Sequence, residues 1–364
     1  MNGELFLKKR ILWIDYARAF GMILIIIGHS LGQRVFTLGG SMTFMVNVTI
    51  FFVVSGYLFK ARSFQLQVKK LFNSLILPYL FTSFIFAGIS FVTNHYDLTY
   101  LFKSIGSVRD VLLRAFWGLG TGSNVIFTHV HALSIGAIWF LPALFFASIL
   151  FNLLSKVFSN TTHGFYMMGS VILIIALLGF YTTKFGQIPW SINAAFVGIL
   201  FMWVGLFIKR TEVIEKHPIL CLVFGLIFWI VGAKSGYFWL NIAHADNVPM
   251  AILGGTGGSI AIMAGCLLFE KEIKAKKITR LFEPLSFFGN FSLIVLCVHI
   301  VELNSTNLAQ LFMQRLPSSL TSAWVIIALV IYRILLTGII TYIIRYMPIF
   351  KQVYVYRDFP FKVK

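Results

Sequence analysis

Long apolar runs separated by short polar or basic stretches dominate the chain. Ten such runs cover approximately 11–31, 41–59, 72–93, 137–154, 165–181, 190–208, 218–233, 248–269, 286–303 and 322–344. A spanning helix needs about 20 mostly apolar residues, and these runs cluster around that length. They are bounded by Lys/Arg clusters or by Gly, Pro, Asn and Ser, and Trp139, Trp190, Trp203 and Trp324 recur near their ends, where aromatic rings favour the membrane interface. The pattern predicts an all-α, polytopic integral membrane helix bundle with about ten transmembrane helices, forming one membrane-embedded domain over 1–364 with no separate soluble domain and no clear internal repeat. The longest connection, 94–136, is expected on the outer side, with a short interfacial helix from Val111 to Leu119. The basic-then-apolar start imitates a signal peptide, but Asp15 and Arg18 interrupt the apolar run and no small-residue cleavage site follows. It reads as a retained first helix.

Composition sharpens this reading. Of 364 residues, 59% are hydrophobic and only 12% charged, and mean hydropathy is +0.87. Soluble domains carry about 45–50% apolar and about 25% charged residues. A soluble enzyme, a disordered chain and a nucleic-acid-binding module are excluded, and the lipid bilayer becomes the expected partner. The net charge of +18, from 30 Lys+Arg against 12 Asp+Glu, then reports topology. With the N-terminus placed in the cytoplasm, inner segments hold twenty-one of the basic residues and outer segments seven, while Arg18 and Arg333 lie within the membrane. The inner set includes Lys8, Lys9, Arg10, Lys60, Arg62, Lys69, Lys70, the 271–280 cluster, Arg357, Lys362 and Lys364. This bias predicts a multi-pass protein of the cell membrane with both termini cytoplasmic. Cys221, Cys266 and Cys297 all lie in apolar runs and supply no disulfide framework or CxxC site.

Charged groups inside a bilayer are costly, about 2.5–3.5 kcal/mol each on insertion scales, and mark interior cavities or function. Here they are Asp15, Arg18 and His29 on the first helix, His299 and Glu302 on the ninth, and Arg333 on the tenth. At 100° per residue, Asp15 and Arg18 share a face, and His29, eleven residues past Arg18, returns to the same stripe about 16 Å further along. Two readings stand: a site with a carboxylate, a cation and a deeper imidazole, or a structural Asp15–Arg18 pair with a histidine ending the helix. His299 and Glu302, at i,i+3, can share a cavity as an oriented imidazole or a satisfied pair; a zinc pair lacks further ligands, so no metal is expected. Arg333 needs a counter-charge, which Asp15 or Glu302 would supply. Gly254-Gly255-Thr256-Gly257-Gly258 only superficially resembles a phosphate loop and points to close helix packing or an unwound turn. His129 and His131 read as solvated loop residues. Lys69, Lys70 and the 271–280 cluster read as topogenic charges that could also bind phosphates at a cytoplasmic mouth.

The first helix resembles that of the acyltransferase-3 family of integral membrane acyltransferases, and is most similar to its fucose 4-O-acetylase-like branch. That family carries Arg or Lys, ten residues, then His; here these are Arg18 and His29, preceded by Asp15. The resemblance continues in Phe51-Phe52-Val53-Val54-Ser55-Gly56-Tyr57-Leu58, Leu75-Ile76-Leu77-Pro78-Tyr79, Trp139-Phe140-Leu141-Pro142-Ala143-Leu144, and Gly289-Asn290-Phe291-Ser292-Leu293 followed by His299. Where relatives in that branch often carry Phe-His-Met-Pro, this chain has Val46-Asn47-Val48-Thr49, so any role of that histidine is lost or passes to Asn47. The resemblance implies transfer of an acyl group, usually acetyl, from cytoplasmic acyl-CoA to a hydroxyl of a cell-envelope or exported glycan or a lipid-linked saccharide. It implies His29 as general base or acyl acceptor, Asp15 orienting Arg18, and Arg18, with Ser55, Lys69 and Lys70, on the acetyl-CoA. Ser55, Asn47 or a backbone N–H would stabilise the oxyanion, and Asn47, Trp139, His299, Glu302 and Arg333 would face the acceptor. A proton-coupled transporter or flippase of a glycan precursor is the alternative for intramembrane His, Asp, Arg and Glu; inverted repeats would favour it, and none is visible.

Overall fold

A computed structural model describes residues 11–103, 105–159 and 161–362. Lys8, Lys9, Arg10 and Lys364, which enter the charge count, lie outside the described residues.

Helix α1 (Leu12–Gly28) begins where the Glu270 carboxylate accepts the Trp13 N–H at 2.9 Å, an acidic cap supplied from a distant helix. The second apolar run is divided at Asn47–Val48 into α2 (Leu38–Val46), whose N-terminus is capped by Thr37, and α3 (Thr49–Tyr57). The third run forms one long rod, α4 (Phe64–Leu71) and α5 (Leu77–His95), joined by a π-helical turn over Phe72–Ile76. In the long connection, α6 (Val108–Trp117) is entered through a reciprocal Ser107–Asp110 capping box and left at Gly118, φ +62°. It packs along α5, with the Tyr79 hydroxyl donating to the Ala115 carbonyl at 2.6 Å. It starts three residues before the predicted interfacial helix because Ser107 supplies the cap.

The remaining helices are α7 (Phe140–Val157), α8 (Gly164–Thr182), α9 (Ile192–Thr211), the short α10 (Val213–Lys216), α11 (Pro218–Lys234), α12 (Val248–Ala275), α13 (Glu283–Asn290), α14 (Ser292–Ser305), α15 (Leu308–Gln314) and α16 (Ser322–Ile344). Every predicted run is therefore helical. Among the described residues, seven helical stretches are long and apolar enough to cross a membrane, and an eighth is the pair formed by the 3₁₀ turn with α13 and by α14, bent by 69°. Helices α1 and α11 have only 17 residues each. These features make the chain a multi-pass helical membrane protein. Two short antiparallel ladders, Ser123–Asn124 with His131–Ala132 and Phe238–Trp239 with His244–Ala245, sit in the connections.

Helices approach closely where side chains are absent. A Cβ on Gly289 would stand 1.7 Å from the Asp15 carbonyl oxygen, so only glycine lets α13 lie against α1. Gly56 and Gly205 similarly let the α3 and α9 backbones touch. The Gly254–Gly258 segment is close packing rather than an unwound turn: it lies inside the continuous α12, with Gly254 against Gly232 and Gly257 against Gly225 of α11. One apolar core runs from Trp13 to Tyr354. Lys60, Arg62, Lys70, Lys209 and the Lys274–Glu270 pair gather at one end, hereafter the basic end; the Lys209 ammonium, for example, donates to the Phe59 carbonyl at 3.2 Å.

Candidate active site

Helices α1, α14 and α16 bring four of the predicted polar residues together. The His29 and His299 rings lie 5.6 Å apart, tilted by 47°. Glu302 Oε2 is 3.3 Å from Arg333 Nε and 3.7 Å from His299 Nδ1. Of the two candidate counter-charges for Arg333, the structure thus selects Glu302. The Arg333 guanidinium also donates to the His29 carbonyl at 2.9 Å and the Ser30 hydroxyl at 2.8 Å, pinning the end of α1.

Burial separates the two histidines. His299, Glu302 and Arg333 are 0%, 3% and 5% exposed, whereas His29 is exposed. Both His299 ring nitrogens, both Glu302 carboxylate oxygens and Arg333 Nε are buried without a hydrogen-bond partner among the described residues. The ion-pair contacts, at 3.3 and 3.7 Å, do not have hydrogen-bond geometry. Buried polar atoms in native proteins are almost always satisfied. A set of orphaned donors and acceptors around one exposed imidazole suits a hydroxyl-rich ligand.

A cavity of about 330 Å³ opens at the basic end and runs between α1, α3, α4, α7 and α14. Its wall on α1 is Arg18, Met22 and Ile25, and on α14 Ser292, Leu293 and Leu296. His29 and His299 stand one helical turn beyond the last of these on each helix. Lys60, Arg62, Lys70 and Arg357 join Arg18 in the lining, and no Asp or Glu does so among the described residues. Ser55 also lines it, while the adjacent Gly56 makes the contact with α9.

A family model described as an acyltransferase domain, Acyl_transf_3, matches residues 11–342. The chain belongs to the acyltransferase-3 family. No curated protein matches it.

As an acyltransferase-3 membrane protein it is an acyltransferase, and its predicted site residues fall into three groups. His29, His299, Glu302 and Arg333 form the deep cluster, while Arg18, Ser55 and Lys70 line the basic cavity. The third group joins neither. Lys69 points away, its ammonium 5.9 Å over the Phe361 ring. Asp15, 4% exposed, stands behind Arg18 with Oδ1 3.8 Å from the guanidinium. Fourteen residues of helix, about 21 Å, separate it from His29, so it acts on Arg18 and not on the imidazoles. Asn47 is buried at the end of α2, one turn past Thr43, which with Phe44 packs at Gly28. Trp139, 4% exposed, packs over Gly120 in a 3₁₀ turn that leans on α14. His129 and His131 remain in the exposed connection, the latter 3.0 Å from the Asn124 side-chain oxygen.

Sequence reasoning missed Ser30 as an Arg333 acceptor, and it read Lys60, Arg62 and Arg357 only as topogenic. Their convergence could not be seen from spacing, because they come from two segments remote from Arg18. The signal available was the absence of acidic residues from 60–70.

Proposed function

We propose that the chain moves a short acyl group, acetyl in the first instance, from cytoplasmic acyl-CoA to a hydroxyl of a cell-envelope or exported glycan or a lipid-linked saccharide, at the cell membrane. The observation that carries this reading is the cavity lined by five cations that ends one turn below the two histidines, of which only His29 is exposed. The residues present suit an acyl-CoA. Arg18, Lys60, Arg62, Lys70 and Arg357 match a nucleotide bearing several phosphates, and the apolar walls at Met22, Ile25, Leu144 and Leu296 match an uncharged arm reaching inward. The bound donor supplies an acyl thioester. The excess of basic residues at this end accords with a cytoplasmic face and both termini inside.

His29 takes the proton from the attacking hydroxyl. As that oxygen forms its bond to the acyl carbon, the bond from carbon to thiol sulfur breaks. The sulfur leaves as thiolate and receives the proton that His29 holds, so the imidazole ends neutral. Arg333 fixes the main chain at His29, and His299 and Glu302 offer an acceptor and a donor set to the saccharide. Of the two side chains weighed for the oxyanion, Ser55 lines this cavity and Asn47 does not. The carbohydrate acceptor rests on the resemblance to the fucose 4-O-acetylase-like branch.

The test is CoA release from acetyl-CoA by purified protein, with and without envelope glycan, alongside detection of the acylated glycan. Removing a general base costs about 10²–10⁴-fold in rate. His29→Gln, which keeps a hydrogen bond but no basicity, should lose activity by that factor while still binding CoA, and His299→Ala should lose less. Near-wild-type turnover by His29→Gln would move the base to α14. Saccharide flux across proteoliposomes with no CoA release would favour the transporter instead.

A further inference from the structure

The family match ends at residue 342, but the chain continues and returns to the basic cavity. After Met347 it turns through a short helix, Pro348–Phe350, and a π-helical turn, Lys351–Tyr356. Tyr354, 2% exposed, is locked against α5: its hydroxyl lies 2.8 Å from the Thr82 hydroxyl and its ring 5.7 Å from that of Phe81. Arg357 follows and lines the cavity that Arg18 lines.

Beyond Arg357 the tail is held a second time. Asn73, fully buried in the π turn between α4 and α5, donates to the Phe361 carbonyl at 2.5 Å and accepts the Phe361 N–H at 3.5 Å. Phe72 meets the Phe361 ring edge-on at 5.6 Å, and Lys69 sits over it. Asn73 belongs to this π turn and is fully buried, and such turns are frequent at functional sites. The two anchors bracket Arg357, which holds a left-handed φ of +56°. For a residue with a Cβ this conformation is unfavourable and persists only where the surroundings enforce it.

Arg357 Nε donates to the Tyr354 carbonyl at 2.8 Å, and among the described residues its side chain makes no other hydrogen bond and no ion pair. Its terminal amino groups are therefore available to the cavity. Burial, with Arg18 nearby adding to it, pulls the Arg357 guanidinium down to about 10, so it remains cationic at neutral pH. Arg18 keeps Asp15 at 3.8 Å, and the added charge of Arg357 beside it is one that an anion in the cavity would offset.

We propose that the C-terminal tail, latched by Asn73, presents Arg357 as a second guanidinium contact for the phosphates of the acyl donor. This rests on the basic cavity being the donor site. Arg357 is a binding residue and Asn73 a positioning residue acting through it.

The experiment measures affinity, not turnover, on the full chain purified in detergent, with CoA and acetyl-pantetheine as calorimetric probes. Acetyl-pantetheine carries the thioester arm without phosphates. Losing a charged hydrogen bond typically weakens binding about tenfold to a hundredfold. Arg357→Ala should lose CoA affinity by that factor and leave acetyl-pantetheine binding unchanged. Arg357→Lys should recover part of the loss and shows that the tail still folds. Asn73→Ala should weaken CoA selectively in the same way. If Arg18→Ala loses CoA affinity while Arg357→Ala and Asn73→Ala keep it, the tail has no part in donor binding and the donor site itself stands. If both probes weaken equally in Arg357→Ala, the tail is structural and the proposal fails. Failure of the unmutated chain to bind CoA would remove the donor reading as well.

Discussion

Neutralising Glu302 tests whether the deep cluster is held by charge. In Glu302→Gln the side chain keeps its length and loses the anion 3.3 Å from Arg333 Nε. Arg333 is 5% exposed and lies mid-helix in α16. Leaving one member of a buried pair without its partner costs about 3–5 kcal/mol, and insertion scales give a similar figure, about 2.5–3.5 kcal/mol, for a cation at the centre of a membrane helix. Glu302→Gln should therefore lose several degrees of thermal stability in detergent. Arg333→Met should lose a comparable amount, because it strands the carboxylate instead. The double variant removes both charges, so it should regain most of the stability lost by either single change. Activity should behave differently. Arg333→Met also deletes the two bonds to the His29 carbonyl and Ser30 hydroxyl, and no change at position 302 restores them. The double variant should be stable and still impaired in acyl transfer. Melting curves and transfer rates on the four proteins form a complete cycle. Additive stability losses, with the double variant the least stable of all, would refute the ion pair as the element holding the cluster.

Gly289→Ala places a Cβ 1.7 Å from the Asp15 carbonyl oxygen, so α13 must move away from α1 and the protein should express poorly or melt several degrees lower. Arg18→Ala should weaken CoA binding about tenfold to a hundredfold, and Arg18→Lys should keep part of it; equal affinity in all three proteins would leave Arg18 as a structural partner of Asp15. For topology, Gln33→Cys should react with a membrane-impermeant thiol reagent from outside the cell and Lys362→Cys should not. Labelling of both from outside would overturn the inside placement of the C-terminus.

Apolar runs alone located every long helix, because hydrocarbon enforces intrahelical hydrogen bonding wherever a run is long enough. The same signal could not show where a run is broken without leaving the membrane. The second run divides at Asn47–Val48, and the ninth bends by 69° between Asn290 and Ser292, yet both read as continuous apolar text. The His29–His299 pairing was foreshadowed only as two separate polar faces; Glu302 as the partner of Arg333 was one of two open choices until α14 and α16 were seen to pack together. Long-range convergence hid the rest. Arg62, Arg357 and Arg18 lie far apart in the chain and meet because α7 aligns the Arg62 segment through paired bonds to Asn152, while Asn73 fixes the tail.

The spacing of the first helix gains a physical meaning from this arrangement. Arg18, Met22, Ile25 and His29 follow one another at intervals of four, three and four residues, which is the stripe that one face of an α-helix presents. In the structure the first three line the basic cavity, and His29 continues the line by one turn. The eleven residues from cation to imidazole therefore act as a ruler of about 16 Å. One end lies among cations that suit an anionic nucleotide, and the other lies among orphaned polar groups that suit a hydroxyl. A shift of one residue would rotate the imidazole by about 100° off this stripe, and a lysine for the arginine would not. On the proposed mechanism, the helix should therefore accept either cation at its basic end and depend on the register of the histidine at the other.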